Sequence, residues 1–207
     1  MGVRLFISCL LLLWVPVQAL PCQALPEHPF AQLRRNPEQL QVLSSVIAAV
    51  ASEAYGKTAL LPESLPEIFT RPQAIFITLK KRDRVYGCMG TLQARGKNLL
   101  REIQLVLPKS LFQDPRHPPV AAADLPGMEV YVSAVGKPLR VGRIEALNPA
   151  RDGVVIQNGN KVGVVLPGEA KTLRYLLSFG KAKAGIGPDE PYQVYRLPTE
   201  TVRVVLP

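Results

Sequence analysis

Leu40, Leu43, Ile47, Val50 and Ala54 recur at alternating steps of three and four, which lines one face of a helix with apolar side chains. Asn36-Pro37-Glu38 ahead of the stripe supplies an N-cap, a proline at the first helical position and an acid in the first turn, and Gly56 stops the run. If four of those side chains are largely buried, the stripe contributes on the order of 6–10 kcal/mol as an upper bound, the weight of a core helix. The period then changes. Residues 74–79 are rich in β-branched and aromatic side chains, Lys80-Lys81-Arg82-Asp83-Arg84 turns the chain, and residues 85–91 return, which predicts a strand pair. Residues 98–107 go back to helical spacing (Leu99, Leu100, Ile103, Val106), and Pro108 is expected to end or kink that helix.

Further along, residues 128–135 alternate as a central strand does, and residues 154–157 and 161–166 flank the hairpin signal Asn158-Gly159. Residues 169–179 carry Leu173, Leu176 and Leu177 and predict a third helix closed by Gly180. Residues 192–197 and 201–206 alternate as late strands. Hairpin-linked strands with helices between them indicate an α+β fold, an antiparallel-rich mixed sheet flanked by helices.

The first residues change the picture of where such a fold works. Met1 to Arg4 carries one positive charge, Leu5 to Val17 is an apolar run, and Val17-Gln18-Ala19 offers a small-residue cleavage site. Residues 1–19 therefore read as a secretory signal peptide, and the protein as exported, periplasmic or extracellular. The run falls short of the roughly 20 residues that span a bilayer, so no transmembrane segment is expected once the signal is removed. A cut after Ala24 is the alternative, and Pro21 before Cys22 speaks against a lipidated cysteine. Residues 20–35 read as a proline-rich linker and residues 36–207 as one domain, a length that buries enough surface without metal or disulfide.

The net charge of +9 falls to +8 when Arg4 leaves, which favours an anionic ligand or acidic surface as partner. Nucleic acid is not expected as a partner of an exported protein. The basic groups fall in two sets, Lys80 to Arg84 with Arg95, Lys97 and Arg101, and Lys171, Arg174, Lys181 and Lys183. Cys9 leaves with the signal, so Cys22 and Cys88 either pair or remain as thiols. Gly56-Lys57-Thr58 imitates the end of a phosphate loop, but Ala51 stands where that loop needs glycine. No cofactor or metal motif is found.

The chemistry concentrates in Gly87-Cys88-Met89-Gly90-Thr91, one thiol between two glycines that let the backbone approach a ligand closely. Cys88 is a candidate nucleophile or redox thiol, with His117 as base and Asp114 orienting it. The alternative is a small apolar residue packed against a helix. Asp114 and Arg116, in Asp114-Pro115-Arg116-His117-Pro118-Pro119, either bind an anion or hold each other. In the binding reading Arg116 supplies charge and Gly87, Gly90 and Thr91 allow close approach, in a cleft between the 87–91 strand and the 114–119 loop. A third reading is an envelope interaction module without a ligand pocket.

The order of these motifs, continuing with Leu125, Glu129, Val132-Ser133, Gly163, Leu166-Pro167 and Lys183-Ala184-Gly185, resembles the AMMECR domain, named for the Alport syndrome, midface hypoplasia and elliptocytosis region. The resemblance implies an α+β fold in two unequal lobes, with the glycine-cysteine run and the Asp-Pro-Arg run near a shared cleft. It also implies a link to a modification pathway, since family members often lie beside or are fused to a Memo-type protein and a radical S-adenosylmethionine protein. Val85 and Tyr86 replace the family's usual Leu-Arg, His117 stands where an aromatic is usual, and Pro108 interrupts a helix. Export separates this copy from a cytosolic radical enzyme, so it is expected to act apart from that pathway.

Overall fold

The computed structural model describes residues 29–207; the expected signal peptide, both cleavage sites and Cys22 lie outside the described residues. Helix α1 (Pro29–Arg35) occupies the end of the stretch expected as linker, because Phe30 and Leu33 are apolar anchors that the core buries completely. Helix α2 (Pro37–Ala54) follows, its first turn capped by the Asn36 side chain, which accepts from the Gln39 N–H. Leu43, Ile47 and Val50 of the expected stripe are buried, joined by Val46. Strands β1 (Ile75–Lys81) and β2 (Arg84–Gly90) meet through a two-residue turn at Arg82 and Asp83, both at positive φ, whose twist matches that of the strands.

Helix α3 (Leu99–Phe112) runs four residues past Pro108. The lost N–H is outweighed by what the extra turn anchors: Leu107 and Leu111 are buried, and the Ser110 hydroxyl reaches the Ile77 carbonyl of β1 at 2.9 Å. Strands β3 (Glu129–Val135), β4 (Leu139–Arg140), β5 (Gly153–Asn158) and β6 (Lys161–Val165) come next. Helix α4 (Leu173–Ala184) then runs through Gly180 and stops at Gly185, which takes the left-handed conformation at φ +66°. Gly180 is no terminator. A Cβ there would meet the Ile156 side chain at 2.5 Å, so its bareness lets the helix lie close on the sheet. Strands β7 (Gln193–Leu197) and β8 (Thr199–Val205) complete the chain, and no described helix is long and apolar enough to cross a membrane.

All pairings are antiparallel, and the strands divide into two four-stranded sheets, β2-β1-β3-β8 and β4-β7-β5-β6. The larger lobe packs α1, α2 and α3 on one face of the first sheet, where Ile75, Ile77, Leu79, Val130, Val132 and Val202 form the core. The smaller lobe packs α4 on β5 and β6. A separate apolar cluster joins the two lobes: Ala74, Cys88 and Val135 from the first sheet meet Val155, Leu166 and Leu197. The candidate thiol therefore sits at the seam.

Candidate functional site

β2 is an edge strand, and α3 fixes where it lies. A Cβ on Gly87 would fall 2.0 Å from the Ser110 carbonyl oxygen, so only glycine lets the helix backbone pass this close. Gly90 does the same for Phe76, whose ring would meet an added Cβ at 2.3 Å. Glycine at these two positions is thus required by packing inside the lobe. Thr91 is tied down as well, its hydroxyl donating to Glu102 at 2.9 Å.

The open edge of β2 is closed by the 114–119 loop. The Cys88 N–H donates to Asp114 Oδ2 at 2.8 Å, and Arg116 Nη2 donates to the Cys88 carbonyl at 2.8 Å. Arg116 also grips Asp114 through Nε and Nη2, both at 2.8 Å, and its own N–H donates to Oδ1. Burial by itself would raise the Asp114 carboxyl. Hydrogen bonds from the Arg116 side chain, the Arg116 N–H and the Cys88 N–H outweigh that and hold it at about 2. The two motifs therefore touch directly, and the Asp114–Arg116 pair does for Cys88 what a neighbouring strand would do.

Cys88 itself is 7% exposed, and Thr78 donates to its sulfur at 3.1 Å. Burial pushes its thiol up, more than Thr78, Lys183 and Arg116 bring it down. A groove of about 610 Å3 opens beside it, between the lobes. Cys88, Gly90, Asp114 and Arg116 line one wall; Val162, Gly163, Val164 and Lys183 of the smaller lobe line the other. Strand alternation turns the Gly90 N–H and C=O outward on the same side as those of Cys88, since the Thr91 N–H already points inward to the Ile75 carbonyl. Gly87 and Thr91 do not line this groove, and His117 lines a different hollow with Arg84, Tyr86 and Asp124. The proposed cysteine-histidine pairing is thus not assembled.

An AMMECR1 family profile matches residues 43–202. The chain belongs to the AMMECR1 family. A protein of Thermotoga maritima is 36% identical over 151 residues, covering 70% of this chain and 87% of that one. A protein of Methanothermobacter thermautotrophicus is 29% identical over 170 residues, covering 72% and 86%. The fold is similar to that of an uncharacterized protein from Pyrococcus horikoshii, with a TM-score of 0.67 at 23% identity over 80% of this chain and 90% of that one.

Two parts of this AMMECR1 domain escaped the reading of single motifs. Glu102 is fully buried and accepts from the Thr91 hydroxyl, the Arg95 N–H and the Gly96 N–H, so one carboxylate folds the loop after β2 onto α3. In the sequence it looks like any charge on a helix. Lys183 is the other: the sequence shows it in a basic set and in the Lys183-Ala184-Gly185 motif, but neither places it at the groove. Its ammonium pairs with Glu169 at 2.7 Å and donates to the Val164 carbonyl at 3.0 Å, which fixes the far wall of the groove.

Proposed function

We propose that this AMMECR1 protein is exported and binds a small anionic ligand, or an acidic group of a partner, in the groove between the smaller lobe and the wall that β2 and the 114–119 loop form together. The observation that carries the reading is the division of labour in Arg116. Its Nε and Nη2 hold Asp114 and Cys88, while Nη1 has no hydrogen-bond partner among the described residues and the side chain is 40% exposed. A guanidinium fixed by one edge and open at the other is preorganised for a carboxylate or phosphate. The outward Gly90 N–H adds a neutral donor, and Met89, Leu92 and Val162 add apolar surface.

Cys88 acts in this reading as an unreactive part of the wall. Its burial, its raised thiol and the absence of a histidine from the groove lining all speak against the thiol-enzyme alternative. Titration with hexanoate and with inorganic phosphate, followed through the amide signals of Gly90 and Val162, tests the proposal. Saturable shifts that weaken as salt rises support it. Absence of shifts with either anion, or shifts indifferent to salt, overturns it. Export is tested separately by N-terminal sequencing of the protein recovered outside the cytoplasm, where a new terminus at Leu20 or Leu25 is expected.

A further inference from the structure

Thr78 and Cys88 face each other across β1 and β2, and a second hollow of about 270 Å3 lies on the Thr78 side of that contact. Its floor is the face of the first sheet turned toward the smaller lobe: Thr78 and Lys80 of β1, Tyr131 and Ser133 of β3, and Thr201 of β8. Its roof is the 166–169 turn and α4, with Tyr175 and Phe179. Where the lobes pack against each other this face is apolar, at Ala74, Cys88 and Val135. Under the hollow the same face turns polar.

We propose that this hollow is a second binding site, for a small aromatic compound carrying one carboxylate. The aromatic part matches Tyr175 and Phe179, whose rings stack at 5.5 Å with planes 13° apart; Lys183 lies 4.6 Å from the Phe179 ring centre, and Tyr175 stays 51% exposed for an incoming ring. The anion matches Lys80. Its ammonium lies 4.8 Å from the centre of the Tyr131 ring and forms no ion pair among the described residues. Its cross-strand neighbour Glu129 is instead held by Arg203 and the Tyr131 hydroxyl. The other acid of the hollow, Glu169, is already matched by Lys183, so Lys80 leaves the site with one positive charge. The hydroxyls of Ser133 and Thr201 are 2.8 Å apart and need only one proton between them, which leaves the second free for an incoming oxygen.

Two ligands of nearly one shape, 4-hydroxybenzoate and the neutral 4-hydroxybenzamide, test the part played by charge, followed through backbone amide signals of the whole protein. The benzoate is expected to shift Gly168 and Thr201 in a saturable way and to bind at least tenfold more tightly than the amide. Lys80→Met is expected to abolish that preference, and Lys80→Arg to keep it. Equal binding of the two ligands overturns the proposal. So does a preference that survives Lys80→Met, an absence of shifts with either ligand, or shifts confined to Gly90 and Val162, which would put the ligand in the other groove.

Discussion

Asp114 lies on Cys88 as a neighbouring strand would, its Oδ2 2.8 Å from the Cys88 N–H, while Arg116 completes the rung at the carbonyl. A sequence-local pair thus substitutes for a missing ladder partner. The first prediction concerns acid. Because the fold holds the Asp114 carboxyl at about 2, below the ordinary 3.8, its contribution is complete above pH 4 and is lost as pH falls toward 2. The shift corresponds to about 1–2 kcal/mol once screening at the partly exposed Arg116 is allowed for. Asp114→Asn is expected to lower stability at pH 7 by about that much and to flatten the loss between pH 4 and pH 2, read by urea unfolding across that range. Parallel pH profiles for the two proteins would refute it.

Thiol reactivity gives the second. Burial keeps Cys88 protonated at neutral pH, and the thiolate is the attacking form. Peptide mapping after iodoacetamide treatment is expected to show the Cys88 peptide reacting at least tenfold more slowly in the native protein than in the urea-unfolded one. Equal rates would contradict the buried seam.

Close backbone packing gives the third. Gly87→Ala places a Cβ 2.0 Å from the Ser110 carbonyl oxygen, and Gly163→Ala places one 2.2 Å from the Gly180 carbonyl oxygen. Each is expected to cost about 3 kcal/mol or more, because helix and strand must separate. Gly142→Ala meets nothing within 4 Å and is expected to stay within about 0.5 kcal/mol of the parent. Thermal unfolding of the three variants checks the ordering.

A fourth prediction separates charge from shape at Glu102. In Glu102→Gln the amide oxygen can accept from Arg95 and Gly96 while its NH2 donates to the Thr91 hydroxyl, so the loss is expected to be about 1 kcal/mol. Glu102→Ala leaves two backbone N–H groups without partners and is expected to cost about 3 kcal/mol or more. Equal destabilisation of the two variants would show that the negative charge, not the hydrogen bonding, matters.

Features carried by local chemistry were legible in the chain. The Asn36 cap, the α2 stripe, the β5–β6 hairpin and the turn between β1 and β2 each need only a few neighbouring residues, and each stands in the structure, although the β5–β6 turn is Gly159-Asn160, with Asn158 paired to Lys161 as the end of β5. Pro108 does not end α3 and Gly180 does not close α4, because the usual local penalty is overruled from outside the segment, by Ser110 reaching β1 and by Ile156 rising under α4. The site shows the same split. The glycine-cysteine run and the Asp-Pro-Arg run do come together, but their partners on the smaller lobe, Val162 and Lys183, join them only through folding. His117, adjacent in sequence to Arg116, faces another hollow.

Lys183 places its ammonium on the Val164 carbonyl, on the free side of the last strand of the second sheet. Occupying that acceptor with a cation has a colloidal consequence: another copy of the chain cannot extend the sheet there without first displacing a paired lysine and leaving Glu169 uncompensated. Self-association in concentrated solution is thereby discouraged at a border whose flanking Val162 and Val164 would otherwise invite it.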